Sequence, residues 1–276
     1  MTGKDCPARR SDDIIRPSMH EVSVSGACLN CGAGLTGRWC AQCGQHVAPV
    51  RPTLHELLHE AVHEIAHVDG KLIRTAGLLL FKPGALTREF LAGQRVRSVT
   101  PVRVYLLCSV LFFGIISLLP AKQWRLSVTK GGDAQLLKAV ERANKDPSII
   151  AHAMESAFPK AMFILMPLFA LVVFAFYFRA ERMYVPHFYF AVHYHAFAFV
   201  MLALFEALSL LHLRAAGVVR LLLFLTLFPY LGMALQRVYA GRRWLTVVKT
   251  VAILTIYGAF ILLTMAAIAY VTLRQL

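Results

Sequence analysis

Five long apolar stretches after Pro101 constrain this chain more than any other feature. They cover residues 102–119, 161–178, 188–211, 215–235 and 251–271. Each approaches or exceeds the roughly 17–25 residues that a helix needs to cross hydrocarbon. The last carries no charge, whereas the fourth carries Arg220 and Pro229. Arg220 lies near enough to one end to extend its head group toward the interface. The predicted fold class is an all-α polytopic membrane protein of about five transmembrane helices, headed by a small N-terminal zinc ribbon and an amphipathic juxtamembrane helix.

The composition agrees. Hydrophobic residues make up 58% of the chain and charged residues 16%, against about 45–50% and about 25% in a soluble domain. The net charge of +14 is read as Lys and Arg gathered in flanks that face anionic lipid. No basic run is interleaved with aromatics in a way that suits base stacking. The lipid bilayer is therefore the expected partner, and nucleic acid is not.

Before the spans, residues 1–27 read as a disordered tail and 28–46 as a cysteine module. Residues 53–100 read as amphipathic, interfacial helix (53–81) followed by a basic connector rich in Gly, Pro and Arg. Residues 101–276 form the membrane domain. The connector of about 40 residues between the first two spans has room for a helix over 134–143. The first 25 residues hold no apolar core of signal-peptide length, which predicts an N-terminus kept in a reducing compartment. With that end inside, one set of flanks holds Arg88, Arg95, Arg97, Arg103, Arg179, Arg182, Arg237, Arg242, Arg243 and Lys249. The short loops favour this orientation under the positive-inside rule.

Cys28-Leu29-Asn30-Cys31-Gly32 and Cys40-Ala41-Gln42-Cys43-Gly44 are two copies of one device. Two thiols three positions apart can grip one ion from a tight turn. The glycine that follows supplies positive φ. Four thiolates make the closed, tetrahedral set of a structural Zn²⁺ site, with no position open for water. So small a module cannot bury a core, and metal binding supplies most of its folding energy. Cys6 and Cys108 have no such partners.

His55, His59, His63 and His67 recur every fourth residue, with Glu56, Glu60 and Glu64 following three of them. The resulting His-Glu-x-x-His strings can place two imidazoles on a metal with a glutamate beside bound water, as in metallopeptidases. At roughly 100° per residue these groups form one polar face. Leu54, Leu57, Leu58, Ala61, Val62 and Ile65 form the opposite one. A solvated face on an interfacial helix competes with a metal-binding stripe and with a peptidase built on His55, Glu56 and His59.

Further on, His187, His193 and His195 open the third span and Glu206 lies deeper in it. Ionisable groups at membrane depth face a bundle interior or a wet cavity. His195 and Glu206 share a face but stand roughly 16 Å apart along the axis, so each needs its own partner. Hydrogen bonding to a neighbouring carbonyl or hydroxyl competes with a role in metal, proton or headgroup binding. Arg182, Lys249 and Tyr184 read as interfacial anchors.

An ordered series of motifs runs through the chain. After the cysteine pairs come Leu54-His55-Glu56 with His59, Asp69-Gly70-Lys71-Leu72, Arg74-Thr75, Lys82-Pro83-Gly84, Leu86 through Leu91, Gly93-Gln94-Arg95 and Pro101 through Leu106. Later come Phe158-Pro159-Lys160, Met166-Pro167-Leu168, Tyr184 through His187, His193 through Phe197, Arg237-Val238-Tyr239 and Trp244. This series resembles the bacterial membrane family known as domain of unknown function 3667. The resemblance implies a zinc-ribbon-like start, several membrane helices and no established activity. The chain departs from it at Pro186, where an acidic residue is expected before His187.

Three functions follow as expectations. The first is a non-enzymatic inner-membrane protein with a cytoplasmic N-terminus, whose ribbon recruits a membrane or cytoplasmic protein partner or serves envelope assembly. The second is a metal-ion or proton transporter using His193, His195 and Glu206. The third is the peptidase. Zn²⁺ bound by Cys28, Cys31, Cys40 and Cys43 is the expected cofactor. A second site would draw on His55, His59, His63, His67, His187, His193, His195 and Glu206.

Overall fold

The computed structural model describes residues 26–37, 39–46, 70–119, 133–146, 148–208 and 216–276. Eight helices occur among them: α1 (Gly70–Phe81), α2 (Ala85–Leu91), α3 (Pro101–Leu118), α4 (Ala134–Lys145), α5 (Ser148–Tyr177), α6 (Tyr184–Ala207), α7 (Ala216–Tyr239) and α8 (Arg243–Arg274). Five of these, α3 and α5 to α8, are long and apolar enough to cross a membrane. Backbone polar groups must be satisfied internally in hydrocarbon, and a helix does this within one segment.

Three of the helices, α5, α7 and α8, are longer than the apolar stretches that predict them. α5 starts at Ser148 rather than 161, and α8 at Arg243 rather than 251. Apolar length marks what hydrocarbon covers, not where the hydrogen-bond ladder stops. Asp146 accepts from the Ser148 N–H at 3.1 Å, which starts α5 early in polar sequence. Pro159 and Pro167 lie within α5 and Pro229 within α7; membrane helices tolerate them because neighbours re-satisfy the freed backbone. The helix expected over 134–143 is α4. Of the helix expected over 53–81, only the part from Gly70 onward falls among the described residues.

α6 is the central helix. In its most apolar window 67% of the residues are buried, against 11% for α8, which faces outward. It packs on α3, α5 and α7, while α8 packs on α5 and α7. Ala191, Ala196 and Ala203 are fully buried along it, and such small residues let neighbouring backbones approach. Phe169 of α5 stacks on Tyr194, and Phe112 of α3 stacks on Phe199, with ring centroids 5.2 and 5.3 Å apart.

The stretch expected as a plain basic connector contains α2. Pro83 cannot continue α1, and Gly84 adopts φ 74°, reversing the chain. The α1–α2 hairpin packs into one end of the bundle against α6 and α7. Gly84 is pressed so closely on α7 that a Cβ there would lie 2.8 Å from the Ala234 carbonyl oxygen. Tyr230 donates to the Leu79 carbonyl at 2.6 Å, and Arg237 donates to that of Pro83. The hairpin is also pinned from its other side. Arg74 grips both Glu89 carboxylate oxygens at 3.0 and 2.8 Å and donates to Ser98 Oγ at 2.7 Å.

At the opposite end α4 closes the bundle. Its Ala139, Val140 and Ala143 pack with Ile150 and Leu273, and Arg274 pairs with Asp133 at 3.1 Å.

Candidate metal centre and buried polar groups

The two cysteine knuckles fold as the same turn twice. Gly32 N–H donates to Cys28 O at 2.8 Å and Gly44 N–H to Cys40 O at 2.9 Å; Cys28 N–H donates to Ala33 O at 2.7 Å and Cys40 N–H to Gln45 O at 2.9 Å. Each turn is closed by an isolated antiparallel bridge, Ala27 to Gly34 and Trp39 to His46. Gly32 and Gly44 have φ 78° and 70°, a region that a side chain would strain.

Facing each other, the turns bring Cys28, Cys31, Cys40 and Cys43 together with all four sulfurs within 4.8 Å of one another. The closest pairs are Cys28–Cys43 at 3.6 Å and Cys31–Cys40 at 3.5 Å. Four thiolates at about 2.3 Å from one tetrahedral ion would be spaced about 3.8 Å apart. The donor set therefore fits a single metal ion. Among the described residues it is the one group of three or more His, Cys, Asp or Glu side chains so gathered.

Hydrogen bonds prepare the sulfurs for that role. The Asn30 side chain, aided by the Gln45 N–H, holds the Cys43 thiol down at about 6. The N–H groups of Cys43 and Gln42 hold Cys40 below the usual thiol range. At Cys31 the Ala33 N–H pulls down, but partial desolvation and the sulfurs of Cys40, Cys43 and Cys28 prevail and push it up to about 12. Crowded thiols resist sharing negative charge until a cation joins them. In the centre, such an ion would be held by the four sulfurs and would supply cross-linking of the two turns.

The ribbon is seated on the membrane hairpin. Gln45, buried, donates from Nε2 to Gly93 O at 2.8 Å and accepts from the Arg95 N–H at 3.2 Å. Leu29 covers Gly93, whose added Cβ would meet Leu29 Cδ1 at 2.7 Å.

Within the bundle each histidine has its own partners. His187, near the ribbon end of α6, donates from Nε2 to Glu181 O at 3.1 Å and accepts at Nδ1 from the Tyr239 hydroxyl at 2.7 Å. With Pro186 beside it, a backbone carbonyl and a tyrosine occupy its two nitrogens. His193 Nδ1 meets Thr87 Oγ1 of α2 at 2.9 Å. His195 donates from Nδ1 to Ala191 O at 2.8 Å and accepts at Nε2 from Tyr257 of α8 at 2.7 Å. Glu206 is buried toward the far end of α6. Lys249 donates to Phe176 O at 2.8 Å and lies over the Tyr177 ring at 4.2 Å, and Tyr184 donates to Pro167 O at 2.9 Å. These two tie helices together where sequence reads them as interfacial anchors.

His55, Glu56, His59, His63 and His67 lie outside the described residues. Sequence reasoning gives no role to Asn30, Thr87 or Tyr239, although each falls within a quoted motif, and does not mention Gln45 or Tyr257. For Asn30 and Gln45 the available signal was position, one between the paired cysteines and one just past the second glycine.

Residues 69–113, from the start of α1 through most of α3, match the family model described as Protein of unknown function (DUF3667). The match supports that family for this chain, and the ribbon cysteines lie outside the matched stretch. No curated protein and no solved structure matches.

Proposed function

We propose that this chain is a multi-pass protein of the bacterial inner membrane that uses a structural zinc ribbon, held at the cytoplasmic face, to engage a protein partner during envelope assembly. The observation that carries this is the closed four-sulfur centre seated on the membrane hairpin. A filled tetrahedral thiolate site offers no coordination position to a substrate, so its service is shape. That shape presents Trp39, 63% exposed, with its ring 4.4 Å from that of His46. Exposed aromatics of this kind anchor protein interfaces.

Transport through His193, His195 and Glu206 gains no common centre from the described residues, since each histidine ring is directed to a different partner. The basic residues assigned to one flank cluster at the ribbon end of their helices, which supports a cytoplasmic ribbon.

Metal analysis of the purified protein tests the centre, with one zinc per chain expected and none in Cys28→Ser/Cys31→Ser. A photo-crosslinker at position 39 tests the role. The same defined partner should be captured by wild type and lost in the double serine variant. Identical capture by both would overturn the recruitment reading.

A further inference from the structure

We infer that Gln45 couples the metal centre to the membrane hairpin, so that filling the four-sulfur site locks α1–α2 against α6 and α7. The inference rests on the reading of the ribbon as a metal site.

Gln45 belongs to both structures at once. Its main-chain oxygen accepts from Cys40 N–H at 2.9 Å and so closes the second knuckle. Its side chain spans the gap to the chain leaving α2, with one bond to Gly93 O and one from Arg95 N–H. The first knuckle reaches the same loop through Leu29, packed on Gly93. Two knuckles thus hold one loop by different contacts. They can do so together only while their own separation is fixed.

A module this small has no core of its own to fix that separation. The ion between the four sulfurs does it instead, because in such modules binding energy is folding energy.

The loop is not a passive anchor. Gly93 N–H bonds to Phe90 O at 3.1 Å and Gln94 N–H to Glu89 O at 3.0 Å, so it continues directly from α2. On α2, Phe90 packs its ring on Tyr189 with centroids 4.5 Å apart, and Thr87 bonds to His193. An unbroken set of contacts therefore runs from the sulfurs to the middle of α6. Without the ribbon, Gly93 O and Arg95 N–H lose their amide partner. The hairpin then keeps its bonds to Tyr230 and Arg237 and the packing of α2 on α6 and α7, but the loop that leaves α2 is no longer held.

Hydrogen–deuterium exchange on the full-length protein in nanodiscs tests this, with zinc loaded and after chelation. Chelation is expected to raise exchange about tenfold or more over residues 86–95. Gln45→Ala at saturating zinc should reproduce that rise at 86–95 while residues 28–44 stay protected and one zinc per chain is retained. Leu29→Ala should give a smaller rise in the same place. Because linkage is reciprocal, Gln45→Ala should also weaken zinc retention against a competing chelator by about fivefold or more.

If chelation removes the zinc and 86–95 does not change, the inference is overturned and the metal site stands. The same holds if Gln45→Ala leaves 86–95 at the wild-type level. A protein that holds no zinc, with 28–46 unaffected by the chelator, overturns the metal reading and the inference with it.

Discussion

Tyr257 donates its hydroxyl hydrogen to Nε2 of His195 at 2.7 Å, joining α8 to the buried helix α6. The other ring nitrogen faces the Ala191 carbonyl at 2.8 Å, which can only accept, so the proton resides on Nδ1. The bond leaves no polar atom of the ring to be satisfied by water. Among the described residues, Lys249 to Phe176 O and Thr246 to Gln236 are further polar ties between the outermost span and its neighbours.

Removing one partner strands the other. Tyr257→Phe should destabilise the detergent-solubilised protein by about 1–2 kcal/mol, through an imidazole acceptor left unpaired in a dry site. Replacing both groups, as His195→Leu/Tyr257→Phe, should cost less than the sum of the singles. A thermal-melt double-mutant cycle reads this directly, and strictly additive losses would rule out the pairing.

Two glycines of the hairpin should respond with opposite signs. Gly84→Ala needs a left-handed backbone and puts a Cβ 2.8 Å from Ala234 O, so a loss of about 2 kcal/mol or more is expected. Gly77 lies inside α1 with nothing within 4 Å of an added Cβ. There alanine should stabilise by about 0.5–1 kcal/mol. Melting temperatures of the two variants against wild type decide it; a gain for Gly84→Ala would refute the tight seat on α7.

Acid should release the metal, and Asn30 should set where. A thiol whose folded value is depressed adds stability at pH above its ordinary value near 9 and loses it as pH falls through the folded value, here about 6 for Cys43. Asn30→Ala removes the leading cause of that depression. Zinc release followed with a chromogenic chelator should therefore begin at higher pH in the variant. Coincident release curves would show that Asn30 does not tune Cys43.

Arg74 should not be replaceable by lysine. Its Nη2 lies on both oxygens of Glu89 while Nη1 reaches Ser98 Oγ, and a single ammonium cannot keep this spread of partners in one plane. The pair is partly exposed, at 38% and 25%, so screening limits the loss to about 1 kcal/mol. Arg74→Lys and Arg74→Ala should melt within about a degree or two of each other. A fully wild-type Arg74→Lys would reduce the pair to a simple charge contact.

The five spans and the cysteine centre were legible because each rests on a local rule. An apolar stretch of sufficient length must be helical in lipid, and two Cys-x-x-Cys-Gly turns can do little except face one another. What the sequence hid is tertiary. Nothing near Lys82-Pro83-Gly84 announces a helix as short as α2, since seven residues form a stable helix only when packed against something. Thr87 and Tyr239 fall within the motif series, but their pairings, like that of Tyr257, gave no signal because the partners lie far along the chain, at His193, His187 and His195. The same distance explains Lys249, read as an anchor from its position beside an apolar run and found bonded to Phe176 O.

Superimposing the knuckles in sequence pairs Cys28 with Cys40, Gly32 with Gly44 and Ala27 with Trp39. The matched cysteines and glycines make a four-sulfur cage with no preferred orientation on the hairpin. Orientation on the hairpin is written in the mismatches: Leu29 where the second copy has Ala41, and Gln45 where the first has Ala33. A symmetrised head built from two first knuckles or two second ones would keep its four sulfurs and forfeit half of its grip on the loop at Gly93, because repetition encodes chemistry here and divergence encodes direction.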